Sequence, residues 1–380
     1  MKQYRIGRLE LILATLISLG GAGGAGMSEV AHQATVPAWQ PTDQVRAFYS
    51  GHSLSEGVPE LVEQIASSLG HRFDFETQST GYSLLRQRTK GEVPSGPDWP
   101  GYRAGSNRTG AGLNVAEELR QPRRLTTGDR YDALVVTERH DLPAIARKEH
   151  TALYLIDMAR HLIAGNSDAQ VLLYQTWLHL DPDAPGPWID YERAVLPMWE
   201  CIASRANLAL PARGGVPRVR VLPGSGALAE LVAALWDGKV PGVAGDTAGK
   251  RIRFLFSDNV HMSEAGRYFI ALVHYAVLFG RTPEGTAVPA PLAPETGRYM
   301  QKLAWQYAAS YGQRANADAR HTMATCRALM QNQICPAYAT FQASGAVPIL
   351  ATLRRQYKTY LCRRDYADAQ DPENPFGSPR

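Results

Sequence analysis

The sequence lacks most of the features that commonly reveal a function. Only four cysteines occur among 380 residues, none forms a Cys-x-x-Cys pair, and no histidine stands beside them at zinc-finger spacing. The formal net charge of +4 is too small and too dispersed to indicate a nucleic-acid-binding surface. Neither an internal repeat nor a heptad array is visible. A globular protein remains, whose chemistry must be sought in a few side chains.

The scarce cysteines are unevenly placed. Cys326, Cys335 and Cys362 lie in the last sixty residues, whereas Cys201 stands alone. This distribution favours disulfides that clasp C-terminal helices over a metal site, provided that the chain is exported. Cys326 to Cys335 is the predicted pair, and four buried free thiols remain the alternative.

Long apolar runs are also missing, except at the N-terminus. Three basic residues there precede an apolar run over residues 11–26, which is the arrangement of a secretory signal. Residues 1–34 are therefore predicted to be a signal peptide and leader, and the protein to be periplasmic or secreted. An uncleaved anchor, or a start at Met27, remains open because no clean cleavage site is present. Elsewhere no stretch reaches the roughly 20 apolar residues that span a bilayer.

Strand-like and helix-like segments alternate over residues 43–285. The strand-like segments are VRAFYS, HRFDFET, YDALVVT, AQVLLYQT, RVRVLP and RIRFLFS, and amphipathic helical patterns cover residues 55–69, 149–163, 189–209, 227–236 and 263–280. Alternation of this kind predicts an α/β fold, a three-layer sandwich with a central parallel sheet. Residues 89–127, rich in Gly, Pro and Arg, are predicted to be an irregular insertion.

The C-terminal part of the chain has a different pattern. Residues 291–366 are helical in character and are predicted to form a helical extension. Residues 367–380 are predicted to be a disordered tail. Because ligands of parallel sheets bind beyond the carboxyl ends of the strands, polar residues after the predicted strands are the candidates for a functional site.

Ser53 is the first of these candidates. It lies in the stretch SGHSLSEG, residues 50–57, between a predicted strand and a predicted helix. In this position its hydroxyl can act as a nucleophile, while backbone N–H groups of the turn and helix stabilise developing negative charge. The alternative is that Ser53 or Ser55 caps the helix, with Glu56 nearby.

Asp258 and His261 form the second candidate pair. They lie three residues apart in FLFSDNVHMSEAGRYF, after the last predicted strand and before a helix. A carboxylate at this spacing can fold back on the imidazole, select its tautomer and stabilise its charged form. Together with Ser53 after the first predicted strand, the pair favours a Ser-His-Asp triad over a helix cap.

These two blocks resemble those of the SGNH/GDSL hydrolase superfamily. Ser53 stands in the serine position of its nucleophile block, His52 stands where that superfamily often has Asp or Asn, and Asp258-Asn259-Val260-His261 is similar to its closing block. The resemblance covers about residues 45–280. It implies a flavodoxin-like three-layer fold and a serine nucleophile that cleaves esters through an acyl-enzyme.

The resemblance is weaker in the two middle blocks, which should supply oxyanion donors. Gly81 in QSTGYSLLRQ is the candidate for the second block, with a simple turn glycine as the alternative. The third block should hold an Asn after YDALVVT, but Glu138-Arg139-His140-Asp141 stands there. Loss of one such donor costs about 2.7 to 4 kcal/mol of transition-state stabilisation. Either His140, which we favour, or Arg139 replaces it, or catalysis is slow.

Candidate substrate contacts are less specific. His52 and Trp177 are expected at the cleft, although core packing is an equal alternative for Trp177. The Arg-rich insertion, with Trp99 and Tyr102 as stacking surfaces, can hold an anionic or sugar substrate or can be a solvated loop.

The sequence thus predicts a serine hydrolase that cleaves acetyl or other short acyl esters, with a carbohydrate as the candidate alcohol. Ser53 and Gly81 amides, together with His140, would receive the oxyanion, and no metal or cofactor is required. Two alternatives stay open: a polysaccharide O-acyltransferase on the same triad, and a non-catalytic carbohydrate-binding or assembly protein. No nucleic-acid partner is expected, and no membrane contact beyond the N-terminal signal.

Overall fold

Five parallel strands form one sheet in the order β2-β1-β3-β4-β5. The structure is a computed structural model that describes residues 40–90, 100–317 and 321–378. The strands are β1 Gln44–Gly51, β2 Arg72–Ser79, β3 Ala133–Thr137, β4 Gln170–Tyr174 and β5 Val219–Leu222. Every residue of β3 is buried, because central strands of a parallel sheet are covered on both faces.

Helices account for most of the remaining described chain. They are α1 Val58–Ser68, α2 Leu85–Thr89, α3 Val115–Arg120, α4 Leu142–Ile145, α5 Thr151–Gly165, α6 Gly186–Asn207, α7 Gly224–Trp236, α8 Ala248–Arg253, α9 Glu264–Phe279, α10 Pro294–Ala317, α11 Met323–Leu329, α12 Cys335–Ala343 and α13 Pro348–Ala367. Short 3-10 turns occupy Ser53–Ser55 and Gly101–Arg103, and a π-helical turn, Met330–Ile334, joins α11 to α12. The 3-10 turn Gly101–Arg103 and helix α3 thus lie within the predicted irregular insertion, residues 89–127.

The strand order explains the three layers. The chain moves from β1 to β2 in one direction and from β3 through β4 to β5 in the other. Since such crossovers are right-handed, α1 lies on the opposite face of the sheet from α5 and α6. Helix α9 packs against α1, and α5 packs against α6. The predicted α/β sandwich is confirmed, with the strand order of flavodoxin-like folds.

One predicted strand is wrong. The segment RIRFLFS, residues 251–257, does not join the sheet: its first three residues end α8, and Phe256 makes only an isolated antiparallel bridge with Met262. Ile252 and Leu255, which are three residues apart, are both fully buried in the hydrophobic core, while Arg251 Nε donates to the Leu235 carbonyl at 2.8 Å. The last strand is therefore β5, and Asp258 and His261 follow a helix.

One disulfide joins the C-terminal helices to the α/β layers, and a second joins two of the C-terminal helices to each other. Disulfides join Cys201 of α6 to Cys326 of α11, and Cys335 of α12 to Cys362 of α13. The predicted Cys326–Cys335 pair is wrong because both residues lie on one nearly continuous helix. Nine residues of helix separate them by about 13 Å, whereas a disulfide needs Cα atoms less than about 7 Å apart.

The predicted disorder of the tail is also wrong for its described residues. Phe376 is fully buried and stacks on Tyr366, with ring centroids 5.8 Å apart. Asp371 accepts from Arg147 at 2.7 Å. Polar composition suggested disorder, but one aromatic anchor and one ion pair fasten this segment to the domain.

Two expectations concern the membrane. The predicted signal and leader, residues 1–34, lie outside the described residues. Within the described part of the chain, no helix combines the length and the apolar character that a membrane span requires.

Candidate active site

Ser53 lies in a tight turn at the carboxyl end of β1. The strand ends at Gly51, where a Cβ atom would collide with Ser55 Oγ, so the turn requires glycine. Helix α1 begins only at Val58, with Gly57 as its N-cap residue in the left-handed region at φ 75°. Ser55 Oγ donates to the His52 carbonyl at 2.8 Å. The interpretation of Ser53 or Ser55 as the cap of this helix is therefore wrong.

Asp258 and His261 face each other within the loop between α8 and α9. Asp258 Oδ2 lies 2.7 Å from His261 Nδ1, and Asp258 Oδ1 accepts the backbone N–H groups of Val260 and His261, each at 2.7 Å. Burial acts to raise the pKa of this carboxyl, but the hydrogen bonds from the His261 side chain and from the two amides outweigh it and lower the pKa to about 2. The carboxylate is ionised at neutral pH and holds Nδ1 as the protonated nitrogen.

The structure brings this pair to Ser53. His261 Nε2 lies 3.0 Å from Ser53 Oγ, although 208 positions separate the two residues. With Nδ1–H directed at Asp258, the unprotonated Nε2 accepts the Ser53 hydroxyl proton. The three side chains therefore form a continuous hydrogen-bonded chain in the order required for activation of a hydroxyl.

The loop after β4 holds the Asp-His loop in place. Trp177 Nε1 donates to the Val260 carbonyl at 2.8 Å, and the Leu180 N–H donates to the Asn259 carbonyl at 2.7 Å. Trp177 is fully buried, and it also lines the cavity beside Ser53. It thus combines the two roles that the sequence left as alternatives, core packing and cleft wall.

His52 does not lie in the cleft as expected. It is buried, its Nε2 lies 3.1 Å from the Glu138 carbonyl, and its Nδ1 accepts the Leu54 N–H at 3.4 Å. Burial, reinforced by the nearby Arg88 cation, lowers the pKa of His52 to about 3. A neutral imidazole with both nitrogens engaged positions the Ser53 turn against β3, and the prediction of a substrate contact is wrong.

Two backbone amides are available where β1 and β2 end. Among the described residues, neither the Ser53 N–H nor the Gly81 N–H donates to another group. Gly51 pairs with Ser79 in the sheet, so Ser53 and Gly81 each follow their strand by the same two positions. Both amides thus lie at one edge of the sheet. Unpaired N–H groups at such an edge suit a developing oxyanion.

Two residues that follow β3 differ in their surroundings: Glu138 is buried and fully hydrogen-bonded, whereas His140 is available as a donor. Glu138 is fully buried, and its carboxyl accepts from Leu85 N at 3.0 Å, Arg139 N at 2.8 Å and Thr151 Oγ1 at 2.8 Å. His140 is half-buried, and its Nδ1 has no hydrogen-bond partner in the described part of the chain. Burial lowers the pKa of His140, and the nearby Arg139, His179 and His261 add to this effect. As a neutral imidazole close to His261, His140 is the candidate for a side-chain donor to an oxyanion.

Sequence reasoning missed a buried arginine beneath the site. Arg88 is fully buried; its Nε donates to Ser50 Oγ at 3.1 Å, its NH1 to Ser83 Oγ at 2.6 Å and its NH2 to the Thr137 carbonyl. Burial lowers its pKa to about 10, which leaves the guanidinium charged. It links the ends of β1 and β3 to the turn after β2. No sequence signal distinguishes it, because only the tertiary fold buries it.

One cavity contains Ser53, and a second lies next to it, since Glu56 lines both. The first, of about 270 Å³, contains Ser53 and His261 and has an apolar wall. That wall consists of Leu54, Val58, Trp177, Met262 and Ile270. The second, of about 400 Å³, contains Gly81, and most of the residues that line it have polar side chains. Its polar side chains include Glu56, Glu60, Gln78, Ser79, Ser106, Asn107 and Arg108.

The insertion contributes to the second cavity differently from expectation. The Arg108 guanidinium donates to both Glu63 carboxylate oxygens at 2.8 and 2.9 Å and lies 4.0 Å from the centre of the Phe75 ring. Its charge is thus already paired. Tyr102 donates to Asp157 at 2.6 Å and does not serve as an open stacking surface, and Trp99 lies outside the described residues.

Comparison with known proteins gives little further information. Neither a protein-family model nor a curated protein matches the chain. Among solved structures, the chain is similar to a DUF4886 family protein from Bacteroides uniformis, with 14% sequence identity and a TM-score of 0.47. The alignment covers 70% of this chain and 94% of that protein. We draw no functional argument from a similarity of this size.

Proposed function

We propose that this protein is a serine esterase that removes short acyl groups from a polar alcohol. The observation that carries the proposal is the hydrogen-bonded chain from Ser53 Oγ through His261 to Asp258. The resemblance of the Ser53 and Asp258–His261 blocks to the SGNH/GDSL hydrolases agrees with it. Solvated loops without a catalytic role would not be expected to bring the Ser53, His261 and Asp258 side chains together at the carboxyl edge of the sheet.

The arrangement supports a two-step acyl transfer. His261 Nε2 takes the hydroxyl proton as Ser53 Oγ attacks the ester carbonyl, and Asp258 stabilises the resulting imidazolium. The Ser53 and Gly81 N–H groups, with His140 as third donor, stabilise the oxyanion. The imidazolium then gives its proton to the departing alcohol, which leaves an acyl-Ser53 ester. Water, deprotonated by His261, attacks this ester; the His261 imidazolium returns the proton to Ser53 Oγ as the acyl–Oγ bond breaks and the acid leaves.

The two cavities support the assignment of substrate class. The smaller cavity has an apolar wall beside Ser53, which suits a short acyl chain. The polar cavity suits a hydroxylated alcohol such as a sugar ring, since hydroxyl, amide and carboxylate groups line it. Glu56 and Glu60 give it negative charge, while Arg108 is occupied by Glu63. A neutral sugar ester is therefore a better substrate than an anionic one.

The proposal is tested by hydrolysis of p-nitrophenyl acetate by wild type, Ser53→Ala, His261→Ala and Asp258→Asn. We expect each substitution to lower kcat/KM at least about a hundredfold. A fluorophosphonate probe should label wild type and not Ser53→Ala. Ser55→Ala is the matched control, since it removes a neighbouring serine hydroxyl that hydrogen-bonds only backbone, and it should retain labelling.

The outcomes separate the alternatives. Equal rates in all variants, together with no labelling, would identify a non-catalytic protein. Labelling at Ser53 with acetyl transfer to an added sugar, in preference to water, would identify an acyltransferase. Acetylated neutral xylan and an acetylated uronic-acid polymer, compared as substrates, test the charge preference of the polar cavity.

A further inference from the structure

Helix α13 exposes an unusual amount of apolar surface. Of the ten large apolar side chains that are exposed among the described residues, five lie on this helix, each 59% to 78% exposed. They are Ile349, Leu350, Leu353, Tyr357 and Tyr360. The spacings of three, four and three residues from Leu350 to Tyr360 place them along one side of the helix. Contiguous exposed apolar surface of this kind marks an interaction site.

The other side of the same helix is fastened to the protein. Cys362 is bonded to Cys335, Tyr366 donates to the Pro143 carbonyl at 2.9 Å, and Arg363 Nε donates to the Gln331 carbonyl at 2.7 Å. These contacts lie in the C-terminal half of α13. The helix is thus held in a defined orientation, with its apolar stripe facing outward.

The charge of α13 is positive over all but its last turn, where Asp365 lies 3.1 Å from its neighbour Arg364. Residues 348–364 contain five basic side chains and no acidic one. Arg354 and Lys358 follow Leu350 by four and eight positions, so they flank the apolar stripe. In the part of the chain that the structure describes, no carboxylate forms an ion pair with Arg354, Arg355 or Lys358. Their charge is available to a partner.

The positive charge beside the apolar stripe distinguishes between two possible binding partners, a second copy of the protein and a lipid surface. Pairing of α13 with a second copy of itself would bring basic flanks together, which like-charge repulsion opposes. An anionic lipid surface satisfies both features: the apolar stripe enters the headgroup boundary, and the basic flank contacts anionic headgroups. Tyr357 and Tyr360 fit that boundary because their rings are apolar and their hydroxyls remain hydrated.

We propose that α13 is a membrane-surface helix, which docks this protein on anionic lipid bilayers in the plane of the interface. The proposal is independent of the proposed esterase activity. It revises the expectation that any membrane contact is confined to the N-terminal signal. The docked protein would lie at a membrane surface rather than free in solution.

Cosedimentation with vesicles tests the proposal. Wild type should bind phosphatidylcholine vesicles that contain phosphatidylglycerol and should bind pure phosphatidylcholine much more weakly. Arg354→Gln with Lys358→Gln should weaken binding about tenfold to thirtyfold, since each basic residue near the surface contributes roughly a fivefold factor. Leu353→Ser with Tyr357→Ser should weaken it at least about tenfold. Leu153→Ser, which removes another leucine that is 58% exposed, is the matched control and should bind normally.

The measurement is made on the full chain and on a chain that begins at Thr35, since residues 1–34 are themselves basic and apolar. The same differences between variants are expected in both. Binding that depends on residues 1–34 and is indifferent to the α13 variants would overturn the proposal, as would wild type that ignores anionic vesicles. A dimer in analytical ultracentrifugation that Leu353→Ser with Tyr357→Ser dissociates would assign the stripe to a second copy instead. Circular dichroism and p-nitrophenyl acetate turnover should remain unchanged in all these variants.

Discussion

Trp177 Nε1 donates to the Val260 carbonyl at 2.8 Å. Val260 lies in the loop between Asp258, which orients the proposed general base, and His261, which is that base. Val260 follows Asp258 by two positions and precedes His261 by one. A fully buried indole therefore fixes the loop on which the distance from His261 to Ser53 depends. The geometry of the candidate site is set as much by this side chain as by the three that would react.

Trp177→Phe is expected to lower kcat more than it lowers stability. The substitution retains most of the buried ring but removes the N–H, so the Asp258–His261 loop loses one restraint. We expect kcat for p-nitrophenyl acetate to fall about tenfold, with KM little changed, since small misplacements of a catalytic group reduce rate strongly. Tyr131→Phe is the control: it removes a buried donor to Glu118 near the opposite end of β3 and should preserve kcat. Equal losses in the two variants would contradict a positioning role for Trp177.

His140→Ala tests the replacement for the missing Asn. If His140 donates to the oxyanion, kcat/KM should fall about a hundredfold to a thousandfold, because that is the usual effect of losing one such donor. His140→Asn restores a side-chain N–H and should recover part of the rate. His179→Ala is the control, since His179 is an exposed histidine whose charge also acts on His140. A His140→Ala variant with an unchanged rate would leave the oxyanion to the two backbone amides.

Glu192→Gln should change how stability depends on pH. Burial raises the pKa of Glu192 to about 8, although its carboxyl accepts the Leu178 N–H at 2.8 Å. The folded state therefore retains a proton that the unfolded state loses above about pH 4.5. This contribution to stability is full below that pH and is lost as the pH rises through 8, by up to about 5 kcal/mol.

Urea unfolding of wild type and Glu192→Gln at pH 5, 6.5 and 8 measures this effect. The free energy of unfolding of the variant, relative to wild type, should increase with pH. Parallel pH profiles for the two proteins would show that Glu192 titrates normally in the folded protein.

The two disulfides should contribute unequally to stability. Cys201–Cys326 closes a separation of 125 residues and Cys335–Cys362 one of 27. In the chain-entropy model, the longer loop contributes roughly 5 kcal/mol and the shorter roughly 3.5 kcal/mol. The double variant Cys201→Ser with Cys326→Ser should therefore unfold at lower urea than Cys335→Ser with Cys362→Ser. Non-reducing peptide mapping checks the pairing itself, and a Cys326–Cys335 peptide would contradict it.

Local patterns predicted the parts of the site that depend on neighbouring residues. The β1 segment ends in Gly51, and the tight turn after it needs that glycine because a side chain would collide with Ser55. Asp258 reaches His261 because three residues of loop suffice for a carboxylate to fold back. The alternation of strands and helices likewise predicted the parallel sheet, since each pattern extends over a single element.

The same local rules failed where another part of the chain decides the outcome. The RIRFLFS segment alternates like a strand, but β5 ends the sheet, and the segment buries Ile252 and Leu255 in the core from the end of α8 and the turn after it. Cys326 pairs with Cys201 because α11 packs on α6, a contact that spacing along the chain does not encode.

The amino-acid sequence by itself determined the fold class, the nucleophile candidate and the Asp-His pair, because periodicity and short-range spacing are properties of contiguous residues. Only the tertiary structure decided that Ser53 meets His261, that His52 and Arg88 are buried beneath the site, and that α13 faces outward. Those facts depend on which surfaces of distant elements exclude water together, and burial is a property of the packed chain rather than of any segment.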